Sequence, residues 1–250
     1  MKKKYIDILV ISIIFIIIYG IVLVKNQIFP FGENSMLGGD VTGQYIPFFS
    51  YFKDAMSGNK GIIFSFSKLL GGNVIGIWDY YLMSFFNILF LIFPLKYFAE
   101  VFVLIVGLKI YFSAITMNIF LRKKTEDIFT RIIIPLMYAF IGYNLAYFIN
   151  IMWFDAVLLL PIVVLGIEQL KNKKYYTYII ALTLSIISNF YIGFSVCIFS
   201  ALYMLYDFFR VSKKERQETF SKNFIRFLTC SLIAVRLINV CNFANDKYIT

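Results

Sequence analysis

Seven apolar runs, at residues 5–24, 98–121, 128–149, 154–170, 175–191, 192–209 and 224–240, are separated by short clusters of lysine and arginine. Each approaches the roughly 20 residues that a helix needs to cross a hydrocarbon core, so the pattern predicts seven transmembrane helices. An eighth run, 80–95, is different. Its apolar part, Tyr80 to Phe93, covers 14 residues and closes on Pro94, a length that favours an interfacial or re-entrant helix over a span.

The basic residues test that reading. If 80–95 does not cross, one face holds Lys2, Lys3 and Lys4, then Arg122, Lys123, Lys124 and Arg131, then Lys171, Lys173 and Lys174, then six more from Arg210 to Arg226. That places 16 of the 24 basic residues on one side. If 80–95 does cross, the last three clusters move to the opposite face. Membranes retain lysine and arginine on the cytoplasmic side. The expectation is therefore a multi-pass cell-membrane protein with its amino terminus in the cytoplasm and a large extracytoplasmic loop over 25–97.

Composition agrees with an all-α polytopic membrane protein. The chain is 60% hydrophobic and 15% charged, with a mean hydropathy of +0.79, whereas soluble domains are about a quarter charged. The net charge of +10 does not imply nucleic acid, because it lies in loops between spans and not on a soluble basic face. Met1-Lys2-Lys3-Lys4 before an apolar run looks like a signal peptide, but the run from Tyr5 to Val24 is long and has no small-residue cleavage site. It reads as an uncleaved anchor. Cys197, Cys230 and Cys241 have no paired spacing and read as packing residues. With no histidine and no Cys-x-x-Cys, zinc and haem are excluded and no cofactor is expected. A divalent cation would have to rest on carboxylates and carbonyls.

The loop 25–97 carries turn signals at Gly38-Gly39, Gly71-Gly72-Asn73 and Gly76. Between them lie two amphipathic segments, Tyr45 to Met56 and Gly61 to Leu70, then the aromatic segment Trp78 to Phe93. Trp78, Tyr80, Tyr81, Phe85 and Phe86 suit the headgroup level. The expectation is a set of short juxtamembrane helices lying on the outer leaflet.

On that face a general base must be a carboxylate or a tyrosine, since histidine is absent. Asp40 is the leading candidate, because Gly38 and Gly39 let the backbone turn tightly toward a ligand. The competing reading makes it the N-cap of a helix over 41–56. Asp54, beside Lys53, reads as a solvated charge. Asp155 lies at the outer mouth of a span beside Trp153, where an acid needs a partner or a wet cavity. An outer-loop lysine is the structural alternative to a substrate-positioning role. Lys109 falls mid-span, too deep to snorkel, and should face the bundle interior, with Glu100, Asp155 or a lipid phosphate as partner. Lys53, Lys60 and Lys68 could meet a phosphate or the headgroups.

Several motifs occur in order: Gly39-Asp40…Gln44-Tyr45…Pro47-Phe48-Phe49, Phe64-Ser65-Phe66…Leu70-Gly71-Gly72-Asn73, and Tyr80-Tyr81…Phe86-Asn87. Asn150-Ile151-Met152-Trp153-Phe154-Asp155, Leu165-Gly166-Ile167-Glu168 and Ser188-Asn189-Phe190-Tyr191-Ile192-Gly193 follow. Together, over roughly residues 5–230, they resemble the YfhO-type bacterial membrane protein family. That family in turn is similar to GT-C glycosyltransferases, which take sugars from polyprenyl-phosphate donors outside the membrane. The resemblance implies Asp40 as catalytic base, with Gln44, Tyr45, Asn73, Tyr80, Lys109 and Asp155 as substrate-binding residues. It also implies a polyprenyl-phosphate-linked sugar as donor, a wall polymer such as lipoteichoic acid in a Gram-positive bacterium as acceptor, and membrane lipids as surroundings.

The family's members are longer. The chain is expected to divide into a GT-C-like transmembrane domain over 1–235 and a divergent tail over 236–250, with Arg236 costly inside a span. A truncated or frameshifted product is the simplest account of that tail. A lipid or polymer transporter would also carry a midplane charge such as Lys109, but it would show paired broken helices in repeated halves. A non-catalytic assembly protein would tolerate Asp40→Asn.

Overall fold

The computed structural model describes residues 6–68, 70–210 and 213–246. It is an all-α polytopic membrane protein. Its helices are α1 (Ile6–Lys25), α2 (Ile46–Met56), α3 (Phe98–Leu121), α4 (Ile128–Ala139), α5 (Gly142–Ala146), α6 (Phe154–Leu170), α7 (Tyr176–Ser188), α8 (Phe190–Arg210) and α9 (Lys213–Asp246), with shorter turns between α2 and α3. Five described segments are long and apolar enough to cross a membrane: Ile6–Lys25, Leu95–Leu121, Ile128–Ala146, Ile151–Leu170 and Phe190–Asp207. The other two expected spans fall on α7, which has only 13 residues, and on the later part of α9, whose first turns are charged. The segment 236–250 begins within α9, which continues unbroken past Val235; residues 247–250 lie outside the described residues.

Local chemistry sets the breaks. Asp127 caps α4 by accepting a 2.7 Å hydrogen bond from the Thr130 amide. Between α7 and α8 stands one residue, Asn189, in an extended conformation with φ of −162°. Its Oδ1 accepts from the Ile192 amide at 2.9 Å and so starts α8. The hairpin is tight: a Cβ at Gly193 would sit 2.5 Å from Cα of Ile186. Gly166 plays the same part between α6 and α7, where a Cβ would lie 2.5 Å from Cα of Tyr178.

Helix α1 runs antiparallel to α3. Asp7 pairs with Arg122, Ser12 Oγ lies 2.8 Å from Tyr111 Oη, and Tyr19 Oη donates to the Val103 carbonyl at 2.8 Å. The chain therefore leaves α1 and enters α3 at the same end of the bundle, so 80–95 makes no net crossing. Its geometry agrees: the segments Ile75–Leu82 and Phe85–Ile92 meet at 96° around Met83-Ser84. The opposite end gathers the basic clusters. There Lys124 pairs with Glu168, Lys171 with Asp207 at 2.6 Å, and Arg226 reaches the Leu170 carbonyl at 3.3 Å.

Two expectations for the loop change. Tyr45–Met56 is helical, but Gly61–Leu70 is not: Phe64-Ser65 pairs antiparallel with Gly72-Asn73 in a small hairpin. Gly71, at φ +111°, turns the chain, and Ser65 Oγ accepts from the Ser67 amide at 3.1 Å, a local bond that competes with helix. Nor does the loop merely lie on a surface. Val41, Tyr45, Phe49, Phe52, Trp78, Leu82 and Phe90 share one buried core with Ile11 and Phe15 of α1 and Phe98, Phe102 and Ile105 of α3. Phe49 and Phe90 stack with ring centroids 4.0 Å apart. A second core, with Val163, Ile167, Tyr178, Leu182 and Phe227, joins α6, α7 and α9.

Candidate functional site

Gly39, at φ +53°, is in the left-handed region where glycine is the residue of least strain. It delivers the chain into a π-helical turn, Val41–Tyr45. Val41 and Tyr45 are buried, so they anchor the turn while Asp40 stands exposed at its start. Asp40 occupies the N-cap position, yet its side chain makes no cap hydrogen bond. The helix-cap reading is thus not what the carboxylate does.

Around this turn lies a patch of aromatic rings. Tyr45 Oη donates to Asn150 Oδ1 at 2.7 Å, and its ring centroid is 5.5 Å from that of Tyr81. Tyr81 is 4.6 Å from Tyr80. Trp153 Nε1 donates to Tyr80 Oη at 3.1 Å, and Asn189 Nδ2 donates to the Tyr80 carbonyl at 2.8 Å. Tyr191 continues the patch, 6.4 Å from Tyr80. Burial first, then the neighbouring Tyr81 and the Asp40 carboxylate, pushes the Tyr45 phenol up to about 12. It stays a neutral donor at ordinary pH. The loop, the start of α6 and the start of α8 thereby meet in one place.

The other expected site residues divide. Gln44 is half-buried on the same turn as Tyr45. Asn73 spends its side chain locally, accepting from the Ile75 amide at 2.7 Å. Lys109 and Asp155 are partners: Lys109 Nζ lies 2.6 Å from Asp155 Oδ2, both nearly inaccessible. Lys109 also donates to the Ile151 carbonyl at 2.8 Å, and Ser84 Oγ donates to Asp155 Oδ1 at 3.0 Å. Ser84 is at the apex of the 96° bend, so this buried trio bolts the re-entrant apex to α3 and α6. An outer-loop lysine as partner of Asp155 is therefore incorrect. The reason is depth: Lys109 is about 16 Å along α3 from Phe98 at 1.5 Å per residue, beyond reach of a surface lysine.

The outer-loop lysines are also engaged. Lys53 donates to the carbonyls of Leu91 and Phe93 at 2.7 and 2.8 Å, completing the end of a short helix whose last carbonyls lack partners. Lys60 pairs with Asp54 at 3.1 Å, and Lys68 donates to the Asn73 carbonyl at 2.6 Å. Lys25, exposed at the end of α1, makes no ion pair or side-chain hydrogen bond among the described residues. Among those residues no three His, Cys, Asp or Glu side chains come together as a metal site.

A cavity of about 870 Å³ lies between α1, α3 and α5, with Gly38 and Gly39, the two residues before Asp40, in its wall. Apart from Asn26, Ser35 and Asn144 its side chains are those of apolar residues and tyrosine. Sequence reasoning missed the cavity, along with Tyr81, Asn150, Trp153 and Asn189 as members of the aromatic patch. The signal was present in the motifs Tyr80-Tyr81, Asn150–Asp155 and Ser188–Gly193, which converge although more than 100 residues separate the first from the last.

The model of the family described as bacterial membrane protein YfhO matches residues 11–241. Comparison with curated proteins and with solved structures gives no match.

Proposed function

The chain belongs to the YfhO family of bacterial membrane proteins, and from that premise we propose that it transfers a sugar from a polyprenyl-phosphate donor to a wall-polymer hydroxyl outside the membrane. The observation that carries this reading is the position of Asp40. It is an exposed carboxylate with no cap bond, on a turn anchored by buried Val41 and Tyr45, close to Tyr45 and Tyr81 of the aromatic patch and next in sequence to Gly39 of the cavity wall. Aromatic rings beside an acid suit the C–H faces of a sugar, and the cavity suits hydrocarbon.

In this mechanism Asp40 takes the proton of the acceptor hydroxyl as its oxygen attacks the anomeric carbon. The bond from that carbon to the phosphate oxygen breaks, and polyprenyl phosphate leaves with the electron pair. Tyr45 and Asn150 hold the turn that aims the acid. Lys25, exposed at the end of α1 and next in sequence to Asn26 of the cavity wall, is the cation we assign to the leaving phosphate. A retaining route needs a second carboxylate nearby. Asp155, the acid considered for it, is locked to Lys109, which favours direct displacement with inversion. The same pairing neutralises the midplane charge that would have suited a transporter.

Orientation follows from charge. The end of the bundle that carries the Arg122, Lys171 and Arg226 clusters faces the cytoplasm, and Asp40 faces outward. The test is sugar transfer by the full-length protein with Asp40→Asn, scored as sugar content of wall polymer. Loss of a positioned general base lowers the rate roughly 10²–10⁴-fold. An unchanged sugar content removes Asp40 from the chemistry.

A further inference from the structure

The hairpin between α2 and the re-entrant segment is built inside out. Along Phe64-Ser65-Phe66 the side chains alternate between two faces. The serine is the buried one, at 7% exposure, while Phe64 and Phe66 stand 48% and 81% exposed. Leu70, across the turn, is 98% exposed. The two rings meet edge to face with centroids 5.2 Å apart. They lie over Gly71, where a Cβ would come 2.8 Å from Cζ of Phe64. The hairpin therefore presents an apolar tip, the kind of surface that meets a membrane or a partner.

Three observations select lipid. The first is depth. Lys53 donates to the carbonyls of Leu91 and Phe93, just before the apolar segment Leu95–Leu121 begins. This end of α2 thus stands at the outer edge of the hydrocarbon. Tyr51, close by on α2, donates through its hydroxyl to the Gly61 carbonyl and so starts the hairpin at the same edge. The second is the backbone. The amides of Ser67, Lys68 and Gly71 donate to Ser65 Oγ, the Ser65 carbonyl and the Lys68 carbonyl, at 3.1, 3.4 and 2.9 Å. Amides bonded within the turn can leave water at little cost. The third is charge. Residues 50–78 hold Lys53, Lys60 and Lys68 against a single acid, Asp54, which pairs with Lys60. Lys68 bends back from the tip to the Asn73 carbonyl at 2.6 Å, so its ammonium lies at the base strand, away from the rings. Hydrocarbon at the tip and a cation behind it reproduce the layering of an anionic bilayer surface.

We propose that hairpin 61–74 dips into the extracytoplasmic leaflet, with Phe64, Phe66 and Leu70 among the acyl chains and Lys68 against anionic phospholipid headgroups. Its base joins the shared core through buried Val74, which packs with Phe52 and Trp78. The inserted tip therefore fixes the depth of α2 and of the re-entrant segment together. Nothing in this depends on whether Asp40 transfers sugar.

The test uses the full chain carrying Leu70→Trp, in mixed vesicles of phosphatidylcholine and phosphatidylglycerol. One lipid or the other is brominated on the upper part of its acyl chains, at equal mole fraction. Subtracting the emission of the parent chain isolates the added indole from Trp78 and Trp153. Ile17→Trp, on the exposed face of α1, is the reference for an indole in contact with lipid. The indole at position 70 should be quenched by bromolipid to about half the extent of that reference or more, and acrylamide should quench it weakly. Brominated phosphatidylglycerol should quench about twofold more than brominated phosphatidylcholine, and Lys68→Gln should remove that difference. Quenching by acrylamide but not by bromolipid places the tip in water and overturns the proposal. Quenching by neither means that protein, such as a second copy of the chain, covers the tip, and equally overturns it. Equal quenching by the two bromolipids on the Leu70→Trp chain overturns the assignment to anionic lipid.

Discussion

Replacing Lys109 by methionine separates a structural ion pair from a ligand-binding cation. The substitution keeps an unbranched side chain, one atom shorter and uncharged, and leaves Asp155 in a buried setting with the Ser84 hydroxyl, 3.0 Å away, as its one side-chain donor among the described residues. Removing one member of a buried pair costs about 3–5 kcal/mol. Asp155→Leu strands the ammonium instead, with the Ile151 carbonyl as its remaining close partner at 2.8 Å, and should cost a similar amount. The double variant Lys109→Met/Asp155→Leu removes both charges. Since their desolvation penalty is removed with them, it should recover most of the loss. It retains about 1 kcal/mol of deficit because Ser84 loses its acceptor. Thermal unfolding of the detergent-solubilised chain can be followed by a maleimide dye reacting with Cys230, which is 3% exposed in the fold. Each single variant should melt roughly 10 °C lower, and the double variant close to the parent. If the double variant is no more stable than Lys109→Met alone, mutual compensation is refuted and Lys109 serves something other than Asp155.

Two further outcomes follow from the site and the topology. The Tyr45 phenol is raised from 10.0 to about 12, so its neutral form is favoured by folding; that contribution is full below pH 10 and is lost as pH rises through 12. Tyr45→Phe should therefore flatten the decline of melting temperature over that window and, through loss of the Asn150 bond, cost about 1 kcal/mol at neutral pH; an unaltered slope would show that Tyr45 does not titrate there. For orientation, cysteine at the exposed positions Asn59 and Lys123 should react with an impermeant thiol reagent from outside and only after permeabilisation, respectively; the reverse pattern places Asp40 in the cytoplasm.

Much of the fold was legible because hydrocarbon thickness imposes run length. The predicted spans 98–121 and 154–170 coincide with α3 and α6, since a membrane helix must satisfy its own backbone and cannot shift far against its flanking charges. The reading of 80–95 rested on the same length: fourteen apolar residues ending at Pro94 are short for a span, and the segment is bent by 96° where a span would run straight. Asp40 was legible as an acid after two glycines, and the absence of histidine left few rivals.

What the chain could not disclose is pairing across distance. Lys109 and Asp155 each carried several possible partners, and only the packing of α3 against α6, with the re-entrant apex between them, selected one. Gly61–Leu70 had helical amphipathicity, but tertiary structure spent it on a hairpin. The aromatic patch and the cavity likewise belong to no single segment. Composition and run length determine that this is a bundle of membrane helices with an acid after the first of them, because those properties are local and additive along the chain. Which rings face that acid, and what space opens beside it, depend on close packing between elements far apart in sequence, and that was decided only in three dimensions.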